Sequence, residues 1–381
     1  MFALPSIVIL LAASLALPDA NPTLYIFDRF FASSKRLHNT FSGKRIWITG
    51  ASSGIGAELA RQLHNHGAKI IISGRREEEL RKVQANCLTS SGTDKNNAII
   101  KTLGDISVLP FDVTDSDERL STAVSSALDL YGGVDVLILN AGAGQLSPAV
   151  DDSFSTTRAL MEVNFMGPVR LAMEVIKQEG WDKQTTSESK GHVVVTSSVA
   201  SKMALPLGTS YAASKHAVHG YFSSLRSESA EWLRIDLPCP GPIATSFQAN
   251  VLNESASSSS APSSEADAVE DDNTSEVQMP VDRCAKLIIS GMLGPASLMQ
   301  ETWIARQPTL FFMFLNQYFP KLSNSILGKI GPLRLKAFRA GLPLYKISSW
   351  VQAAKMEKEL AKNTEIGSAK EETNNFTTSE L

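Results

Sequence analysis

Tyr211 and Lys215 stand four residues apart, with Ser198 upstream of them. On a helix that spacing puts both side chains on one face. A phenol with an ordinary pKa of roughly 10 is a poor proton donor or acceptor at neutral pH. An ammonium close by stabilises the phenolate and lowers that pKa. A serine hydroxyl can hydrogen-bond a substrate oxygen. Together the three suit carbonyl reduction, in which a proton reaches oxygen while a hydride reaches carbon. A Tyr-x-x-x-Lys pair taken alone occurs by chance on many helices.

The hydride needs a carrier, and the chain offers a loop to hold one. Thr49-Gly50-Ala51-Ser52-Ser53-Gly54-Ile55-Gly56 follows an apolar run and opens a helical pattern. Glycines there permit a tight turn and a close backbone approach to a pyrophosphate, and a helix N-terminus offers unpaired N–H groups to the anion. The second strand ends in Ser73-Gly74-Arg75-Arg76. An acid at that point would hold the ribose hydroxyls of NAD. Two arginines instead match the 2′-phosphate of NADP, because a guanidinium fork fits a phosphate. The alternative is that they are two solvated residues at a helix start. Asp112-Val113 and Asn140-Ala141-Gly142 close the third and fourth strands, where residues line the ligand crevice of such sheets.

These residues need a frame, and the sequence predicts one. Short β-branched runs alternate with helical patterns: strands at 45–49, 69–73, near Val108, 134–139 and 192–196, and helices between them. The helix carrying Tyr211 runs to about Trp232. Repeated β-α units mean a parallel sheet covered by helices on both faces, a doubly wound α/β fold of Rossmann type, with an expected strand order 3-2-1-4-5-6-7. Val281 to Met292 reads as a helix and Trp303 to Ala305 as a last strand. One residue breaks the pattern. Pro238 sits where a buried strand is expected, and proline removes a ladder donor, so either the strand is displaced there or the sequence is irregular at that point. His64 and His66 flank a helix end and are expected to face solvent.

The formal net charge of −3 and the lack of a basic stripe argue against nucleic acid. Cys87, Cys239 and Cys284 are odd in number and far apart, which gives neither a disulfide framework nor metal-ligand spacing. The ends of the chain differ from its middle. Phe2 to Leu17 is apolar apart from Pro5, Ser6 and Ser14. It is a little short of the roughly 20 residues of a spanning helix. A signal peptide ending near Ala20 and an uncleaved anchor both fit. Arg29, Lys35 and Arg36 behind it favour an anchor with the following domain in the cytosol. Residues 253–278, with Ser257 to Ser260 and Glu270-Asp271-Asp272, have the composition of a disordered insert. Leu310 to Phe319 is apolar and aromatic, and Lys321, Lys329, Arg334, Lys336 and Arg339 follow. Such an extension suits a membrane surface or a partner, or else core packing with a solvated basic face. Residues 1–40 are thus expected to be anchor and juncture, 41–308 the α/β domain, 309–360 an amphipathic helical extension and 361–381 a disordered tail. Asn253, Asn273 and Asn375 begin glycosylation triplets, which matter only where those segments face a lumen.

The set TGASSGIG, NAG, Asn164, Ser198, Tyr211-x-x-x-Lys215 and Pro240-Gly241-Pro242-Ile243, in this order, resembles the short-chain dehydrogenase/reductase superfamily over about residues 44–308. Within it, Tyr211 to Ala217 and the stretch Arg283 to Pro308 are similar to the member 7 subgroup and, more loosely, to the 11β-hydroxysteroid dehydrogenase-like branch. The resemblance implies an NADP(H)-dependent oxidoreductase with a tetrad Asn164, Ser198, Tyr211 and Lys215. Asn164 would hold a water in a proton relay through Lys215, and Lys215 would also bind the nicotinamide ribose. Ser52, Ser53, Gly54, Ile55, Gly56, Pro240, Gly241, Ile243 and Thr245 would join the loop, the arginines, Asp112-Val113 and Asn140 to Gly142 in holding the cofactor. It further implies lipophilic alcohols and carbonyls such as steroids and retinoids as substrates, the endoplasmic reticulum membrane as location, and homo-oligomers. Ser229 to Cys239 is about two residues shorter than the family pattern, and the Ser-rich insert occupies the place of the substrate-covering loop. Those two departures leave a catalytically weak NADP(H)-binding scaffold as the alternative.

Overall fold

The computed structural model describes residues 15–89, 104–183, 191–203, 205–245, 277–344, 346, 348–357 and 359. Most of the apolar segment at residues 2–17, nearly all of the insert at 253–278, the three glycosylation triplets and the tail at 361–381 lie outside them. Residues 1–319 and 320–381 are separate compact units.

The first unit opens with helices α1 (Pro22–Phe30) and α2 (Ser34–Phe41). The alternation follows: β1 (Arg45–Thr49), α3 (Gly54–Asn65), β2 (Lys69–Ser73), α4 (Glu77–Thr89), β3 (Ile106–Val108), α5 (Asp117–Tyr131) and β4 (Val136–Leu139). Then come α6 (Phe154–Met161), a π-helical turn (Glu162–Met166), α7 (Gly167–Glu179), β5 (Gly191–Val195), α8 (Thr209–Glu228) and β6 (Leu233–Pro240). Helix α9 (Val281–Leu293), β7 (Glu301–Ile304) and α10 (Thr309–Tyr318) complete it. All seven strands are parallel, in the order β3-β2-β1-β4-β5-β6-β7 that the sequence predicts.

The strand centres are mainly apolar because both faces of the sheet are covered. Alternate residues serve opposite sides. Ile46, Ile48, Ile70, Ile72 and Val194 pack with α1 to α4 and α9. Trp47, Ile71, Leu137, Val193 and Val195 pack with α5, α7 and α8. A third cluster joins Cys239, Ala305, Leu310, Met313 and Phe314, so α10 is a core-packing helix.

Two expectations are corrected. Strand β6 runs straight through Pro238 instead of being displaced. The N–H groups of Leu237 and Gly241 donate to Gln300 and Ile304 on the β7 side. Successive N–H groups alternate sides, so the nitrogens of Pro238 and Pro240 face β5. Pairing with β5 ends at Val194 and Asp236, so the missing Pro238 donor interrupts the ladder only at its end. The Pro238 carbonyl still accepts from the N–H of Ser197. His64 is fully buried, not solvent-facing. It continues the Gly56, Ala60, Leu63 stripe of α3, and burial holds its imidazole below the usual range.

The chain before α1 closes the edge of the sheet. The N–H of Ala305 donates to the Asp19 carbonyl, that of Asn21 to the Trp303 carbonyl, and Gln307 Nε2 to the Leu17 carbonyl. Ala20 forms an antiparallel bridge with Ile304. This covers the unpaired edge of β7, which would otherwise invite another strand. Arg283 of α9 clamps the segment, donating to Asp19 at 2.7 Å and to Asp28 at 2.6 Å. Asp28 is buried, so removing the guanidinium leaves its carboxylate with Ser290 Oγ at 2.8 Å and Lys286 at 3.9 Å and without its main cation. Arg283→Ala is expected to lower unfolding stability by about 3 kcal/mol, read from urea melts of the full chain. An unchanged midpoint would show that the clamp contributes nothing.

In the second unit α11 (Pro320–Arg339) carries the basic residues, with Pro332 inside it. Lys336 pairs with Glu357. No helix among the described residues is long and apolar enough to cross a membrane.

Candidate active site

The dinucleotide loop joins β1 to α3. Gly50 has φ +65°, and a Cβ on it would stand 2.6 Å from the Ala141 Cα. A Cβ on Gly56 would stand 2.6 Å from Asn140 Nδ2. Both positions therefore exclude side chains so that the β1 and β4 loops can touch. Asn140 ties them, its amide donating to the carbonyls of Thr49 (3.3 Å) and Gly50 (3.2 Å). Thr49 Oγ1 accepts from the N–H groups of Asn140 and Ala141. Ser53 is the N-cap of α3 without a side-chain capping bond, which leaves the first-turn donors to an anion. Gly54, at φ +58°, faces Thr245, whose Cβ would be 3.4 Å from an added methyl. Ile55 packs on the core beneath.

Arg75 and Arg76 are exposed beyond β2. Arg76 donates to Ser52 Oγ at 3.3 Å, which links the arginines to the loop. Arg75 lies 3.7 Å from an Asp112 oxygen. The other Asp112 oxygen accepts from the N–H and hydroxyl of Thr114. Val113 is buried, and its carbonyl accepts from Arg170.

The second group stands over the ends of β4, β5 and β6. Tyr211 and Lys215 lie on α8, with the Lys215 ammonium 5.9 Å from the centre of the Tyr211 ring. Lys215 is buried and donates to the Thr196 carbonyl at 2.9 Å. Burial lowers its pKa to about 8. Asn164 occupies the π-helical turn, a distortion that often marks functional positions. Its Oδ1 accepts from the Ala143 N–H at 2.8 Å, and its Nδ2 donates to the Ala143 carbonyl and to Ser214 Oγ. Gly142 stands between the two. A methyl on it would lie 3.0 Å from Asn164 Oδ1 and 3.7 Å from Lys215 Nζ. Ser198 follows β5. Its hydroxyl accepts from the Ala200 N–H and donates to the Pro240 carbonyl at 3.4 Å. Gly241 packs against Ala305, with a hypothetical Cβ 2.8 Å from that methyl. Ile243 forms a parallel bridge with Met279.

Asn164, Lys215, Gly142 and Tyr211 are thus drawn together, with Ser198 beside Pro240. Arg75, Arg76 and Asp112 stand apart over β2 and β3. The boundary lies between β1 and β4, where the strand order reverses and such sheets bind ligands.

Several contributors escape a reading of the sequence. Gln145 is buried and its Oε1 accepts from the N–H groups of Ser210 (2.8 Å) and Tyr211 (3.1 Å), capping α8 beneath the tyrosine. Ser214 donates to the Tyr211 carbonyl and accepts from Asn164, joining the two. Behind Ser198, His219 contacts Ser197 and Ser201 through Nδ1 and Glu301 through Nε2. Burial disfavours the Glu301 carboxylate, but hydrogen bonds from His219, Lys202 and Trp303 outweigh it and bring its pKa down to about 2.

Residues 44–256 match the short chain dehydrogenase family. The chain is 33% identical over 299 residues to the dehydrogenase/reductase SDR family member 7 of Homo sapiens, covering 78% of this chain and 80% of that protein. It is 36% identical over 189 residues to a hydroxysteroid 11-beta-dehydrogenase 1-like protein of Xenopus tropicalis, covering 50% and 59%. Its fold is similar to that of an alcohol dehydrogenase from the archaeon Thermococcus sibiricus complexed with 5-hydroxy-NADP. That likeness has a TM-score of 0.55 at 20% identity, over 70% of this chain and 97% of the other. The chain belongs to the short-chain dehydrogenase family, whose members are oxidoreductases acting on CH–OH groups.

Proposed function

We propose that the chain interconverts a lipophilic alcohol and its carbonyl with NADP(H), Tyr211 serving as acid and base. One observation carries this: a buried lysine one helical turn from Tyr211, its ammonium fixed on the Thr196 carbonyl and its neighbour Gly142 kept bare. NADP(H), when bound, supplies or takes the hydride at the substrate carbon. The chain's own residues handle the proton. Tyr211 gives it to the carbonyl oxygen, and the charge of Lys215 lowers the cost of the phenolate left behind. Ser198 hydrogen-bonds the same oxygen. Asn164 orients a water that returns the proton through Lys215.

The residues suit NADP(H). Glycines bare the loop, uncapped donors open α3, and the end of β2 carries Arg75 and Arg76 in place of an acid. The pairing of Arg75 with Asp112 is exposed and worth little, so it yields readily to a phosphate. On the same reading, residues 1–40 anchor the domain at the endoplasmic reticulum membrane and residues 41–308 are catalytic.

The test is NADPH and NADH binding, followed by nicotinamide fluorescence. Arg75→Ala with Arg76→Ala is expected to weaken NADPH by about 100-fold, from two lost charge-assisted contacts, and to leave NADH nearly unchanged. Equal affinity of the unaltered chain for both nucleotides would overturn the assignment of the arginines.

A further inference from the structure

The outer side of α1 is built the wrong way round for a helix bounded by water. Leu24, Phe27 and Asp28 face the core. The opposite side, at i and i+4, carries Ile26 and Phe30, exposed at 51% and 73%. Phe31 follows at 50%, stacked on Phe27 with ring centres 5.5 Å apart. A stable soluble helix hides such residues or replaces them with polar ones. Around them stand Arg29, Lys35 and Arg36, all exposed. The sequence has no acid between Asp28 and Glu58, and Asp28 is itself buried and bonded to Arg283. Aromatic and aliphatic side chains rimmed by unopposed cations are the composition of an interfacial helix on anionic headgroups.

The position of this face adds a second argument. The chain reaches α1 from the apolar stretch that ends at Leu17, and that approach is fixed. Asp19, Ala20 and Asn21 are paired to β7, and Arg283 holds Asp19 and Asp28 together. Pro18, Arg29, Phe30 and Lys286 line one cavity of about 430 Å³ between this stem and α1. An apolar segment entering a bilayer just ahead of such a stem brings the face of α1 to the headgroup level.

We propose that Ile26, Phe30 and Phe31, with Arg29, Lys35 and Arg36, lie on an anionic bilayer surface and fix the orientation of the enzyme there. The proposal rests on the anchored reading above and goes beyond it, because an anchor on a free tether would set no orientation. The rigid stem transmits the membrane plane to β7 and so to the sheet that carries the site.

The experiment uses the full chain. Its three cysteines, Cys87, Cys239 and Cys284, are buried, so Phe30→Cys takes a polarity-sensitive dye at one exposed place. Leu130→Cys on α5, beyond the other face of the sheet, is the control. Both are reconstituted into phosphatidylcholine vesicles containing phosphatidylserine and headgroup-level nitroxide lipid. The dye at position 30 is expected to be blue-shifted and quenched several-fold more than the dye at position 130. Arg29→Glu with Lys35→Glu is expected to abolish that difference while the chain still floats with the vesicles and keeps its circular dichroism spectrum. Equal quenching at both positions in a chain that floats overturns the face and leaves anchoring intact. Quenching indifferent to phosphatidylserine and to the charge reversal overturns the electrostatic part. A chain that does not float with either type of vesicle overturns both readings.

Discussion

Tyr211→Phe is expected to lower turnover by about 10²- to 10⁴-fold while NADPH binding stays within about twofold of the unaltered chain. The phenyl ring fills the same volume on α8, and the capping bonds from Gln145 reach the backbone N–H groups of Ser210 and Tyr211, not the phenol. The substitution therefore removes the phenolic hydroxyl and leaves the ring and the backbone cap in place. Arg75, Arg76 and the glycine loop stand over β1 to β3, away from α8, so the adenine half of the cofactor loses no contact. Steady-state kinetics on a lipophilic ketone, paired with fluorescence titration of NADPH, reads both numbers. Turnover equal to that of the unaltered chain would remove Tyr211 from the mechanism.

Lys215→Met is expected to cost about as much turnover and to leave a second mark on stability. Burial brings the Lys215 ammonium down to about 8 from the ordinary 10.5. Between those pH values the unfolded chain binds a proton at this lysine that the folded chain does not. Stability therefore rises with pH across that window, by at most about 3 kcal/mol from this one group. Methionine has no proton to lose, so the difference between the two proteins should change across pH 8 to 10.5. Taking the difference matters, because Cys239 is pushed up to about 12 and Cys87 to about 11, and both act in the opposite sense. In turnover, carbonyl reduction should fall as pH climbs through about 8, where the Tyr–Lys pair loses the charge that makes the phenol acidic. Parallel melts of the two proteins at pH 7 and 10, differing by the same amount at both, would contradict the buried ammonium.

The parts of this site that follow local rules were legible in the residues. The spacing of Tyr211 and Lys215 fixes a helix face, and TGASSGIG between a strand and a helix fixes a loop. Alternating apolar runs fix the sheet and its order. What escaped depends on register and long-range contact. Pro238 stays within β6 and only interrupts the β5 ladder near its end, and no local pattern says which way a strand nitrogen points. His64 continues the buried stripe of α3, but its place beside a helix end argues for the surface. Gln145 and Asp152 meet the start of α8 across 58 to 66 residues of chain. Arg283 and Asp19 meet across 264. Asn164 was found through its place in the family motif, whereas the π-helical turn that aims it has no signature in the sequence.

The most direct test of hydride transfer uses NADPH deuterated at C4 of the nicotinamide, on the transferred face, with a panel of lipophilic ketones and aldehydes. Mass spectrometry of the alcohol then reports where the label goes. Deuterium on the carbinol carbon from the unaltered chain, and almost none from Tyr211→Phe at equal NADPH occupancy, is the expected result. Tight NADPH binding with no deuterated alcohol from any carbonyl in the panel would contradict the assignment and leave a chain that holds the nucleotide without using it.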